Sequence, residues 1–130
     1  VVLTVEPDLA NLRNAKNLID LLKQARSNDH PPRLVINRGG LAKRPEIKVD
    51  DFSAALGGLV PTAVIPFDAH LFGTAANNGQ MIAETDPKNA IVESFDLVAR
   101  IITGRTEAKR SKKGGLAPLF AKLRTKKKSA

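Results

Sequence analysis

Leu34-Val35-Ile36-Asn37-Arg38 and Ala63-Val64-Ile65-Pro66-Phe67-Asp68 are the two stretches on which the fold turns. Each begins as a short apolar, β-branched run and stops in polar or rigid residues, the pattern of a strand buried on both faces of a parallel sheet. An open α/β sheet places its ligand at the carboxyl ends of such strands, so Asn37, Arg38, Pro66, Phe67 and Asp68 become the candidate binding residues. Neither Gly-x-x-x-x-Gly-Lys-Ser/Thr nor Gly-x-Gly-x-x-Gly occurs anywhere in the chain. Those glycine-rich turns cradle phosphates, and without one the chain reads as the base-binding half of a nucleotide site lacking its phosphate-binding half.

Working outward, strands and helices alternate. Val1 to Val5 is an apolar run closed by Glu6-Pro7 and suits a buried strand. Asp8 then caps a helix whose apolar residues Leu9, Leu12, Ala15, Ile19 and Leu22 recur at helical spacing, ending near Arg26 before the Asn28 to Pro32 turn cluster. After the Leu34 strand, Gly39-Gly40 breaks the chain and Pro45-Glu46 is expected to open a helix carrying Ile47, Val49, Phe52, Ala55 and Leu56, stopped by Gly57-Gly58. The Ala63 strand leads to a short helix capped by Asp68, with Leu71, Phe72, Ala75 and Ala76 inward and a turn at Asn77-Asn78-Gly79. Asp86-Pro87 is expected to cap a last helix with Ile91, Phe95, Val98, Ile101 and Ile102 inside. This order predicts an α/β fold, a partial parallel sheet with helices on both faces, half of a P-loop NTPase or Rossmann-like three-layer fold. Three parallel strands also predict an open edge that invites pairing.

Composition limits the function classes. At 130 residues and 42% hydrophobic, the chain suits one compact domain. It has no cysteine, which excludes disulfides and thiolate metal sites and suits a reducing, cytoplasmic compartment. Its apolar runs are far below the roughly 20 residues a transmembrane helix needs. The chain begins at Val1 and its one methionine is Met81, so it is read as a fragment or processed product. From Arg105 onward there are ten Lys or Arg against Glu107 alone, net +9, which leaves −1 for residues 1–104 out of a total of +8. The basic character therefore belongs to a tail, and a boundary falls near Gly104.

The order Val5-Glu6-Pro7-Asp8 with Leu12 to Leu22, then Val35-Ile36-Asn37-Arg38, Ile65-Pro66-Phe67-Asp68 and Ala76-Asn77-Asn78-Gly79-Gln80, resembles the carboxyl-terminal half of a MinD/ParA-type P-loop ATPase over residues 1–104. With Lys43-Arg44-Pro45-Glu46-Ile47 and Leu71 to Gly79 it is most similar to the CpaE/TadZ branch that positions the Flp (Tad) type IV pilus assembly machinery. The resemblance implies a parent with a receiver-like domain, a deviant phosphate loop, and Mg²⁺-binding and switch segments upstream of Val1. It implies ATP or ADP as cofactor, with Mg²⁺ in the parent, and pilus assembly or secretion machinery as partner. It implies adenine contact by Asn37 and by the loop Pro66 to Asp68, with Arg38 beside them. An Asn amide offers one acceptor and two donors, matching the mixed edge of adenine. Relatives usually carry a bulkier pair where this chain has Arg38-Gly39-Gly40, which departs from the pattern.

Plainer readings stand beside these. Asn37 can end a strand by bonding local backbone, and helix capping accounts for Asp68 in full. His30 and His70 lie far apart with no companion at ligand spacing, and no nucleophilic triad can be assembled. With no phosphate loop, the chain alone is expected to be inactive, and no catalytic or metal residue is assigned. In the tail, residues 105–130, Pro118 suits the first turn of a helix over 116–126, with Leu119, Phe120 and Leu123 on one face and Lys122 and Arg124 among the cations. Such a helix is too short to persist in water and would form on an anionic membrane, giving peripheral attachment at its inner face. A disordered solubilising tail is an equal reading, and DNA binding ranks third because Phe120 is the tail's only stacking residue. A DNA-associated ParA-type partition module and a free-standing α/β binding domain remain as whole-chain alternatives, and a homo-oligomer through the open edge fits any of them.

Overall fold

The computed structural model describes residues 1–105. The expected helix over 116–126, with Leu119, Phe120, Lys122, Leu123 and Arg124, lies outside the described residues. Eight elements follow one another: β1 (Val2–Val5), α1 (Leu9–Ala25), β2 (Arg33–Gly39), α2 (Val49–Ala55), β3 (Ala63–Pro66), α3 (Ala69–Asn78), α4 (Ile82–Thr85) and α5 (Ala90–Ile102). The three strands form one parallel sheet in the order β1-β2-β3. Among the described residues each outer strand has a single neighbour, which leaves both edges open.

Register assigns the faces. Leu3 and Val5 of β1 pair with Leu34 and Ile36 of β2, while Thr4 pairs with Val35. Leu34 and Ile36 pack with Val5, Ala15 and Ile19 from α1 and Phe52 and Leu56 from α2, and Phe52, Leu34 and Ile36 are fully buried. On the opposite face Val35 and Ile65 pack with Leu71 of α3 and Ile91 of α5. Helices on both faces bury alternate residues of β2, which is why this strand reads as a continuous apolar run.

The helix ends follow local chemistry. Asp8 caps α1 by accepting from the Asn11 N–H at 2.8 Å, and Asp68 caps α3 by accepting from the Leu71 N–H at 2.8 Å. Gly79 closes α3 in the left-handed conformation, φ 64°.

Several expectations are corrected. Gly39 continues β2 rather than breaking it. Pro45 and Glu46 do not open α2, which begins at Val49, because the Glu46 carboxylate is bonded to the Gly40 and Leu41 N–H groups and the Ile47 N–H donates to the Pro7 carbonyl at 2.9 Å. These bonds hold the segment extended. Asp86 accepts a bond from the Asn89 side chain, and it is Asn89 that caps α5 through the Ile91 N–H at 3.0 Å. The short α4 between them was not expected, and Glu84 caps it by accepting from the Met81 N–H at 2.8 Å. Leu9 and Ala76 are exposed, and so are Phe95, Ile101 and Ile102 of the expected inner face of α5.

On the α3/α5 side, β2 and β3 are covered whereas Val2 and Thr4 of β1 stand open, with α5 packed over β3. Phe95 remains 42% and Ile102 57% exposed although both lie within a turn of the inward positions Ile91 and Val98.

Candidate functional site

The carboxyl ends of the three strands converge on one rim. Between Ile36↔Val64 and Gly39↔Pro66, β2 advances three residues while β3 advances two, so Asn37 and Arg38 form a bulge. A bulge re-aims side chains and recurs beside binding sites. Arg38 takes a left-handed backbone, φ 55°, which a side chain rarely adopts without outside support.

The five expected residues meet here in part. The Phe67 N–H donates to the Gly39 carbonyl at 2.8 Å, which brings the β3 loop against the bulge. The Arg38 guanidinium stands 5.7 Å from the centre of the half-exposed Phe67 ring, within cation–π range. Pro66 lies opposite Gly39. Asp68 spends its carboxylate on the α3 cap, the role that capping alone foresees. Asn37 is half-buried, and among the described residues its side-chain amide has no hydrogen-bond partner.

Three further residues shape the rim that sequence reasoning did not place there: Glu6, Arg44 and Glu46. Glu6 accepts from Arg38 Nη1 at 3.0 Å and from Arg44 Nη1. Arg44 Nη2 donates to the Arg38 carbonyl at 2.7 Å and to Glu46 at 3.2 Å. Glu46 in turn accepts from the Gly40 and Leu41 N–H groups at 2.9 and 3.0 Å. Those two N–H groups, with Arg44 behind them, hold the Glu46 carboxyl below the ordinary carboxylate range against partial desolvation. Desolvation also opposes the charge on Arg44, but the hydrogen bonds it donates to Glu6 and Glu46 outweigh it and raise its pKa. A signal for this network does exist in the sequence. Adjacent parallel strands end side by side, so Glu6 after one run and Arg38 after the next are opposite charges at neighbouring strand ends.

A cleft of about 400 Å³ opens behind the rim on the α2 side, between Ile36, Gly39, Ile47, Val64 and Pro66. Another of about 160 Å³, beside Leu22, His30 and Pro32, lies at the opposite end of the sheet, away from the strand ends where a ligand is expected. Among the described residues no group of three or more His, Asp or Glu could hold a metal ion, and no helix is long and apolar enough to cross a membrane.

No protein-family model matches the chain, and a search of curated proteins finds no match. Solved structures do resemble it. The MinD cell division protein of Aquifex aeolicus shares 22% identity with a TM-score of 0.62, over 81% of this chain and 44% of that one. The MinC:MinD cell division protein complex of the same organism gives 20%, a TM-score of 0.63, and 81% and 43%. A ParA family ATPase from Chlorobium tepidum TLS gives 24%, a TM-score of 0.55, and 76% and 38%. This chain thus spans less than half the length of each of these three structures. At these identities the likeness is one of fold, and the chain has part of the fold of the MinD/ParA ATPases.

Proposed function

We propose that this chain is the base-side part of a MinD/ParA-type nucleotide site, taking the adenine end of ATP or ADP. The observation that carries the reading is the Asn37 amide, at the bulge that ends the central strand and without a hydrogen-bond partner among the described residues. A half-buried amide that the fold does not use is available to a ligand, and its acceptor and two donors suit adenine. On the two residues that follow it, Arg38 supplies a cation against the Phe67 ring and Gly39 lies opposite Pro66. Mg²⁺ is not assigned to this chain, since no acidic cluster fits it among the described residues.

Supporting the partial-site reading is the open side of β1. Val2 and Thr4 leave room for a further element of such a domain beside β1, Phe95 and Ile102 of α5 are likewise exposed, and the matched structures are more than twice the length of the matched region. The finer assignment, an ATPase that positions Flp/Tad pilus assembly or secretion machinery, rests on the motifs at Lys43 to Ile47 and Leu71 to Gly79. Association of residues 116–126 with an anionic membrane rests on helical spacing that would put Leu119, Phe120 and Leu123 on one face and the cations on the other.

The test is nuclear magnetic resonance titration with adenosine and, separately, guanosine. Adenosine is expected to shift the Asn37 side-chain amide and the Phe67 ring, guanosine to shift them less, and Asn37→Ala to remove the difference. Equal responses to the two nucleosides, or none, would overturn the reading.

A further inference from the structure

The guanidinium of Arg44 is placed at a cost that packing alone does not explain. Its two terminal nitrogens serve Glu6, Glu46 and the Arg38 carbonyl, while its Nε is buried without a partner. An orphaned buried donor is unfavourable, and it persists when the rest of the group is fixed by stronger demands. The demand here comes from the bulge. Arg38 is held in a left-handed conformation, its carbonyl is taken by Arg44 at 2.7 Å, and its own side chain is anchored to the same Glu6 carboxylate at 3.0 Å. Glu46 completes the arrangement by fixing the next two N–H groups, those of Gly40 and Leu41.

We propose that Arg44 is a positioning residue for the base site: it locks the Arg38 backbone so that the bulge presents the Asn37 amide to the ligand. This rests on the base-site reading above. Asn37 precedes the residue whose carbonyl Arg44 holds, so the peptide that follows the Asn37 side chain is fixed by the Arg38 conformation. Two charges on different segments, Glu6 after β1 and Glu46 before α2, aim the one guanidinium. A planar fork can satisfy all three acceptors at once, whereas a lysine ammonium carries the charge without that geometry. The arrangement predicts that charge conservation will not preserve function.

Adenosine titration of the wild-type chain, Arg44→Lys and Glu6→Gln, followed at the Asn37 amide, separates the outcomes, with amide hydrogen exchange at Gly40 and Leu41 read in the same samples. The expected result is a native spectrum for core residues such as Phe52 in Arg44→Lys, together with faster exchange at Gly40 and Leu41. Adenosine affinity should fall roughly tenfold, the worth of one well-aligned hydrogen bond. Glu6→Gln, which keeps an acceptor oxygen but loses the charge, should fall by a smaller factor and serves if Arg44→Lys does not fold. If the wild-type chain binds adenosine through Asn37 and both variants bind it equally well, the positioning role is overturned and the base site stands. If the wild-type chain does not bind adenosine, the base site itself fails and the positioning role with it.

Discussion

Phe52 and Phe95 are chemically identical side chains in opposite situations, and truncating each measures how complete this fold is. Phe52 is fully buried among Leu34, Ile36 and Leu56, so Phe52→Ala removes a ring from a closed core and should cost about 3–5 kcal/mol. Phe95 is 42% exposed on α5. With roughly half the ring's burial to lose and no closed cavity to leave, Phe95→Ala should cost about 1–2 kcal/mol in the isolated chain. A domain of this size carries about 5–15 kcal/mol in all, and an uncovered strand places it at the lower end. Phe52→Ala should therefore leave the chain close to its unfolding midpoint in buffer, while Phe95→Ala stays folded.

The assay is urea unfolding followed by far-ultraviolet circular dichroism, since the sequence has neither Trp nor Tyr. It should be run at low and at high protein concentration, with light scattering alongside. If the open face pairs with a second copy, the cost of Phe95→Ala will grow with concentration toward that of a buried ring. A cost for Phe95→Ala as large as that for Phe52→Ala, already present in dilute monomer, would refute the view that α5 and β1 leave a face uncovered.

Three further outcomes are expected. The Glu46 carboxyl is held below its ordinary value of 4.5, so the stability it lends is present above that value and is lost as pH falls through the lower folded value. Glu46→Gln should flatten the acid limb of the unfolding profile below pH 4.5, and parallel profiles for the two proteins would count against the loop contacts. The chain alone should show no ATP turnover above background, because it contains no phosphate loop, and purified turnover that disappears in Asn37→Ala would contradict the base-side reading. Sedimentation with liposomes should require anionic lipid, weaken with salt, and drop on Phe120→Ala at unchanged charge; if that variant sediments undiminished, the apolar face plays no part.

What the sequence disclosed and what it withheld differ in kind. The three strands, the caps Asp8 and Asp68, and the stop at Gly79 are local facts, set by patterning and by the nearest few residues, and they were legible. The start of α2 was not legible, because Pro45-Glu46 has good local credentials as a helix opener. A tertiary contact overrides them: Glu46 is bonded to Gly40 and Leu41 across the loop. The face of α5 misled for the converse reason. Its periodicity marks residues that suit burial, and Phe95 and Ile102 have that character while nothing among the described residues covers them. Glu6 and Arg44 escaped because ion pairs between loops leave no period in a sequence.

The open side of β1 and the binding rim belong to one side of the molecule. Thr4 pairs with Val35, and alternation along β2 carries the same face on to Asn37 at the start of the bulge. The uncovered side of β1 and the unpartnered amide of Asn37 therefore open on the same side of the sheet, the side that α3 and α5 cover only over β2 and β3. An element added beside β1 would cover Val2 and Thr4 and would bring its own end to the rim where Asn37 and Arg38 stand. The open side of β1 and the binding rim are completed by the same addition, so a partner that protects Val2 and Thr4 from solvent should also tighten the response of Asn37 to adenosine. Protection of Val2 and Thr4 with no change at Asn37 would separate the two and leave the open face as a docking surface unrelated to the nucleotide.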